Sequence, residues 1–465
     1  PFKAQNMSLN SFVTHEGGEI GRAQAMQAAA CRLKPSVDMN PILLKPTSDT
    51  GSQVILRGKP VGNMSAVEYK NYKDRARVEV LRSFNRLKKN FEIIVIEGAG
   101  SPSEVNLKSH DIVNMKMAEA ADAPVILVGD IDRGGVFAWL IGTLDLLAKR
   151  EQKMVKGFII NKFRGDKRLL GSGINFLEKR TGIEVLGVIP YFKDIRIPEE
   201  DSVALEERRQ VTGEKRQGTK KVNVAVIKLP YTSNFTDFDA LEDEVDVRLR
   251  YISDKDELNG ADVIIIPGTK NTIKDLIWLR KSGLAAKISS ALDSGPHTIL
   301  IGICGGYQML GRVIHDPGRI ESTLTEIEGL GLLPIGTAFK PEKVLSQTKA
   351  VEIDTGIELE GYEIHHGRTI NLEACSPVFK IRDQKRMDGT RIENGRIWGT
   401  YLHGVFDNAA FRRNFLNKAR EGIGLGPLPA GNNRFNLEDE FDKLAKLVRN
   451  NIDTKLLYKI LDHRL

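Results

Sequence analysis

The sequence predicts an α/β protein made of two doubly wound domains in series. Three observations carry this. Continuous apolar runs alternate with helix-like stretches through the first two hundred or so residues. A charged, glycine-containing segment then interrupts the pattern at 206–221. The same alternation resumes at once with Val222. Apolar runs without polar alternation are the mark of parallel strands covered by helices on both faces. At 465 residues the chain is also too long for one ordinary domain.

In the first half, Phe91-Glu-Ile-Ile-Val-Ile-Glu97, Ala123-Pro-Val-Ile-Leu-Val-Gly129, Lys156-Gly-Phe-Ile-Ile-Asn161 and Glu184-Val-Leu-Gly-Val-Ile189 read as buried strands. Helical periodicity fills 66–89 and 136–149 between them. The break at 206–221 is rich in Arg, Lys and Glu with little to bury, which sets a domain boundary there, giving domains at 1–205 and 222–465. In the second half, Val222–Leu229, Ala261–Ile266 and His297–Gly302 read as strands. The tail from Asn436 has helical spacing at Phe441, Leu444, Leu447 and Val448 and is expected to pack as a terminal helical element.

Composition narrows the function. Hydrophobic residues make up 41% and charged residues 28%, a globular rather than a disordered balance. The net charge of +7 is modest and partly concentrated in 208–221. No nucleic-acid module accompanies it, so the charge is not read as nucleic-acid binding; small anionic substrates would suit it equally well. Three cysteines, Cys31, Cys304 and Cys375, without C-x-x-C spacing, predict a reducing cytoplasmic setting and no structural zinc. No apolar run reaches membrane-spanning length.

The strongest chemical signal is Gly302-Ile-Cys304-Gly-Gly306, between a strand and a helix opening. Small residues two positions either side of a nucleophile are what a sharp strand-to-helix elbow requires. The helix N-terminus behind it favours thiolate, and the N–H of Gly305 is a natural oxyanion donor. Gly268, in Pro267-Gly-Thr269 directly after a strand, is the second donor candidate; taken alone it is an ordinary turn. His403, in Trp398-Gly-Thr-Tyr-Leu-His-Gly404, is the acid/base candidate, since imidazole exchanges protons near neutral pH. His365 and His366 are adjacent, so on a strand they face opposite ways and make a shared metal improbable. Tyr362–Gly367 fits either a packed strand or part of a substrate pocket.

These motifs, with Tyr307-Gln-Met-Leu-Gly311 after the cysteine, resemble the cobyric/cobyrinic type of class I glutamine amidotransferase. The resemblance implies Cys304 and His403 as the catalytic pair releasing ammonia from glutamine. The usual class I glutamate two residues after the histidine is replaced by Val405, which leaves the group orienting His403 open.

In the first half, Glu97-Gly-Ala-Gly-Ser101 fits a Mg²⁺–nucleotide site and a glycine-rich turn with a capping acid about equally. Phe2-Lys-Ala-Gln-Asn-Met-Ser8, Gly17-Gly-Glu-Ile-Gly-Arg22, Asn40–Pro46 and Gly129-Asp-Ile-Asp-Arg-Gly-Gly135 resemble the cobyric acid synthase family. That resemblance spans nearly the whole chain. It implies a dethiobiotin-synthetase-like P-loop domain joined to the amidotransferase. It also implies ATP, Mg²⁺, glutamine and a corrinoid polycarboxylate as cofactors and substrates, with amidation at the b, d, e and g carboxylates of adenosylcobyrinic acid a,c-diamide. By the same resemblance Lys3 lies near phosphate or substrate, and Glu97, with Glu19 second, binds Mg²⁺. Asp130 and Asp132 shape the substrate or metal site, and Asn161 lies near the adenine. No G-x-x-x-x-G-K-[ST] sequence occurs in the chain. With Pro1 in place of methionine, the expectation is that the first strand and phosphate loop lie outside the sequence and that the chain as it stands binds ATP poorly. Three rivals stay open: a cobyrinic acid a,c-diamide synthase, a corrinoid- or nucleotide-binding protein with a non-catalytic synthetase half, and a free-standing glutaminase.

Overall fold

A computed structural model describes residues 1–47, 51–192, 194–198, 220–382, 384, 386–429 and 436–462. Most of the predicted boundary segment at 206–221 lies outside the described residues.

The second half is built on a six-stranded sheet in the order Val247–Ile252, Val222–Ile227, Val263–Ile266, Ile299–Ile303, Ile397–Thr400, Thr390–Ile392. All neighbours pair in parallel except the last two, which form an antiparallel edge. Every side chain of Val263–Ile266 is fully buried, as a central parallel strand requires. Burial on that scale contributes about 1.5–3 kcal/mol per side chain, so the C-terminal strand ends are held by a firm core. A second sheet is dominated by the long antiparallel hairpin Ile335–Glu352 and Glu358–Asn371, with a register shift between Phe339 and Val344.

Among the described residues the first half contains three sheets: an antiparallel pair of Ser11–Val13 with Glu19–Gly21, and two larger sheets with separate cores. Val125–Asp130, Val155–Phe163 and Val185–Pro190 form the expected parallel sheet. Gln5–Met7 pairs in parallel with Ile42–Pro46, which continues antiparallel into Gly51–Leu56 and Lys59–Ser65. The helix Ala66–Asn90 begins at a capping box between Ser65 and Glu68 and covers this second sheet.

One predicted strand does not form. Phe91 N–H still caps the preceding helix on Leu87 O, and among the described residues the backbone of 92–97 joins only Phe2: Phe2 N–H donates to Val95 O, and Glu97 N–H donates to Phe2 O. Ile93 and Val95 are 59% and 70% exposed, so the apolar run is not a buried ladder. Continuous hydrophobicity signals a strand only where partners on both edges bury it.

The tail forms Leu437–Arg449 and Thr454–Leu461 and returns to the first half. Ile452 bridges Gly187, Asp453 N–H donates to Leu186 O, and the Glu440 carboxylate accepts the N–H of Arg196. The two halves also meet through residues 11–53 of the first and the long hairpin of the second. Ser11 N–H donates to Asn234 Oδ1 at 3.0 Å, Gln347 donates to Val13 O, and Phe12 lies against Tyr362.

Candidate active site

The strand Ile299–Ile303 turns into the helix Gly305–Leu310 at Cys304, which adopts φ +51° and ψ −105°. For a residue with a Cβ this is a strained conformation, and such strain gathers at functional sites. The flanking glycines make it possible. A Cβ at Gly306 would stand 2.0 Å from Ile266 O, and one at Gly302 would stand 2.7 Å from the Tyr307 backbone. The elbow is thereby pressed against the end of the neighbouring strand. Cys304 is buried, with Sγ 3.5 Å from Ile364 O on the hairpin.

His403 follows the strand Ile397–Thr400, the next neighbour in the sheet. Gly268 lies against its ring, since a Cβ there would meet His403 Cε1 at 3.0 Å. Gly268 N–H donates to no acceptor among the described residues, which leaves it available to an oxyanion. Gly305 opens the helix on the other side of the sulfur, packed against Thr269.

The group that orients His403 is Asp237. Its Oδ2 lies 2.6 Å from His403 Nδ1, and its Oδ1 accepts the N–H of Gly404 at 3.2 Å. Tyr362 stacks on the imidazole with ring centroids 5.1 Å apart, and its hydroxyl donates to Asp237 Oδ1 at 3.4 Å. Arg22 of the first half donates in turn to the Tyr362 hydroxyl at 3.3 Å. Burial alone would depress the imidazole. The Asp237 charge and hydrogen bond, with help from Cys304, outweigh it and push His403 up to about 10. The site therefore holds a protonated imidazole beside the Cys304 sulfur, with the ring's orientation fixed by a carboxylate, the arrangement of a nucleophile paired with its acid/base partner.

The pocket in front of Cys304 is lined by both halves. Lys45 comes from the first half; Lys270, Gln308, Glu321, Lys343 and His366 come from the second. His365 and His366 both line it, on the strand Glu358–Asn371 of the long hairpin. His365 stacks on Tyr401 at 3.7 Å, and burial holds His366 down at about 3, a neutral ring.

Glu19, expected near a metal, stands elsewhere. Its fully buried carboxylate is enclosed by Lys45 at 2.9 Å and Lys343 at 2.5 Å, one ammonium from each half. Burial opposes its charge, but Lys343 and Lys45 hold the carboxyl far below the usual range. A carboxylate shared by two ammonium groups is an interdomain ion triad rather than a cation ligand.

The remaining first-half candidates fall into two groups. Lys3 donates to Glu97 Oε1 at 2.8 Å and Gln27 donates to Oε2 at 2.7 Å. Asp130 and Asn161 are register partners at the C-terminal ends of parallel strands, where α/β sheets bind ligands. Asp130 accepts from Lys162 and from the N–H of Asp132, and Asp132 is paired with Arg164 at 2.6 Å. No cluster of three or more metal-ligating side chains occurs among the described residues. Glu97 still fits Mg²⁺, which typically takes only one or two protein carboxylates beside substrate phosphates and water.

Fold and site together define a cysteine-dependent amidotransferase joined to a second α/β unit. A CobB/CobQ-like glutamine amidotransferase domain matches residues 223–411, and an AAA domain matches residues 61–199. A cobyric acid synthase of Syntrophobacter fumaroxidans is 48% identical over 99% of this chain and 92% of its own length. One of Dehalococcoides mccartyi is 49% identical with the same coverage. An adenosylcobalamin biosynthesis bifunctional protein CobDQ of Leptospira interrogans is 48% identical over 99% of this chain and 53% of its own length. The chain belongs to the cobyric acid synthase family.

Proposed function

We propose that the chain makes adenosylcobyric acid by glutamine- and ATP-dependent amidation of the b, d, e and g carboxylates of adenosylcobyrinic acid a,c-diamide. The observation that carries the reading is the buried Cys304–His403–Asp237 set, at a pocket whose wall includes Lys45 of the other half.

Cys304 Sγ attacks the carboxamide carbon of glutamine, and the N–H groups of Gly268 and Gly305 donate to the developing oxyanion. His403 gives its proton to the departing ammonia. It then takes one from the water that hydrolyses the thioester, leaving glutamate. Asp237 keeps the ring in one tautomer throughout. In the first half, ATP converts a corrinoid carboxylate to an acyl phosphate, and ammonia displaces phosphate to form the amide. Lys3 steadies phosphate charge, and Asp130, Asp132 and Asn161 border the nucleotide or corrinoid. Glu97 would hold Mg²⁺, which supplies charge neutralisation on the phosphates. Released ammonia stays unprotonated only if shielded, which fits a glutamine pocket walled by both halves. The described residues include no helix long and apolar enough to cross a membrane, and a cytoplasmic setting suits the free cysteines.

The test is amide formation on adenosylcobyrinic acid a,c-diamide with ATP, Mg²⁺ and glutamine, followed by mass spectrometry, against unamidated cobyrinic acid as competitor. Conversion of the diamide at its four remaining sites supports the reading. Preference for the unamidated acid, stopping at the diamide, would point to the a,c-diamide synthase instead.

A further inference from the structure

Lys270 and Glu321 face the same pocket as Cys304 and are not used by the chemistry above. Lys270 follows the Pro267-Gly-Thr269 turn, with its N–H anchored on Tyr231 O at 3.0 Å. Glu321 sits in a loop built around the buried Asp316 carboxylate, which accepts the N–H groups of Ile320, Glu321 and Ser322. The Glu321 carboxylate accepts the N–H of Thr272, two residues beyond Lys270, at 2.7 Å. Both charges are therefore held by one rigid turn and one pinned loop.

Among the described residues, Lys270 Nζ makes no hydrogen bond and no ion pair within 4 Å. The other two ammonium groups of the pocket, Lys45 and Lys343, are committed to Glu19. Burial disfavours the charge on both Lys270 and Glu321, and the largest opposing influence on each is the other. They act on one another across the pocket without closing on one another. A free amino acid carries the complementary pair of charges at one end.

We propose that Lys270 and Glu321 are the amino-acid subsite of this pocket, Lys270 receiving the α-carboxylate and Glu321 the α-ammonium of glutamine. The carboxamide end then reaches Cys304. The subsite makes the site specific for a free amino acid rather than for a peptide-bound or decarboxylated amide, and it rests on the glutaminase reading above.

The experiment measures kcat and KM of amide hydrolysis by the full chain on three substrates. These are glutamine, glutaramate (which lacks the α-amino group) and γ-aminobutyramide (which lacks the α-carboxylate). Glu321→Gln is expected to lose about 10- to 100-fold in kcat/KM on glutamine, mostly in KM, the range for one charge-assisted hydrogen bond, while its rate on glutaramate holds. Lys270→Met is expected to show the mirror pattern, losing on glutamine and holding on γ-aminobutyramide. Lys270→Arg should restore most of the loss. An equal loss on all three substrates, or no loss on glutamine, overturns the subsite. If wild-type protein that still makes amide from ammonium hydrolyses none of the three, the glutaminase reading itself fails.

Discussion

Replacing Asp237 with asparagine keeps an acceptor for the N–H of Gly404 but removes the charge 2.6 Å from His403 Nδ1. The imidazole is 1% exposed, and burial alone pulls it below its ordinary 6.5; with Asp237 present it stands at about 10. At about 1.4 kcal/mol per pH unit, that rise is a net of about 5 kcal/mol favouring imidazolium, what Asp237 and Cys304 supply beyond the opposing burial. The sign follows directly. A raised pKa keeps the ring protonated below about 10 and loses the proton as pH rises through that value. Glutamine hydrolysis by the wild type should therefore hold into the alkaline range. In Asp237→Asn the alkaline limb should move down by several units, and kcat should fall by about two to four orders of magnitude, as when a triad carboxylate is neutralised. Glutamate release measured from pH 5 to 10.5, about the range of interest for imidazole, is the assay. Carboxamidomethylation of Cys304 over the same range gives a readout independent of turnover. An unmoved alkaline limb with a rate within about threefold of wild type, a difference of less than one hydrogen bond, would refute the orienting role.

Gly306→Ala places a Cβ 2.0 Å from Ile266 O, a backbone atom that cannot swing away. It should cost about 1–3 kcal/mol or more in urea unfolding and abolish glutamine hydrolysis; a variant as stable and active as wild type would show that the elbow is not tight. Glu19→Gln removes the carboxylate that Lys45 and Lys343 share and should cost at most about 3–5 kcal/mol, because burial already draws Lys343 down to about 7 and without Glu19 it sheds its proton rather than stay charged. Because the Glu19 carboxyl is held low, its stabilisation is present above its ordinary 4.5 and is lost only as pH falls well below that. The wild type and Glu19→Gln curves should thus converge only in strong acid. Glu97→Gln removes the charge paired with Lys3 and one of the two oxygens that accept from Lys3 and Gln27, and should abolish ATP-dependent amide formation from either glutamine or ammonium while glutamate release continues. Retention of amide formation would place Mg²⁺ elsewhere.

What could be read from the sequence is what local chemistry fixes. Cys304 announces itself because the elbow needs small residues at set offsets. The apolar run at 263–266 is a strand buried on both faces, and those at 125–129 and 156–161 pair in a parallel sheet although Val128 stays 61% exposed. Asp237 gave no such signal. It lies 166 residues from His403, in a segment with no motif, and only the packing of Phe235–Phe238 beside the histidine turn brings it there. Glu19 was a metal-ligand candidate only by the family resemblance. Its partners are 26 and 324 residues away, and nothing local marks them. The run at 91–97 shows the reverse failure, since hydrophobicity was present but pairing beyond Phe2 was not. The tail's amphipathic spacing was legible, while its return to Leu186 and Gly187 of the first half was not.

The central claim is that nitrogen released at Cys304 ends in the corrinoid. One measurement addresses it: amide formation in the presence of both amide-nitrogen-labelled glutamine and unlabelled ammonium, in wild type and in Cys304→Ala. The account predicts labelled corrinoid amide from the wild type, and only unlabelled amide, at a rate set by ammonium, from the variant. Label appearing in the product of Cys304→Ala, or an unlabelled product from the wild type while it hydrolyses glutamine, would contradict it.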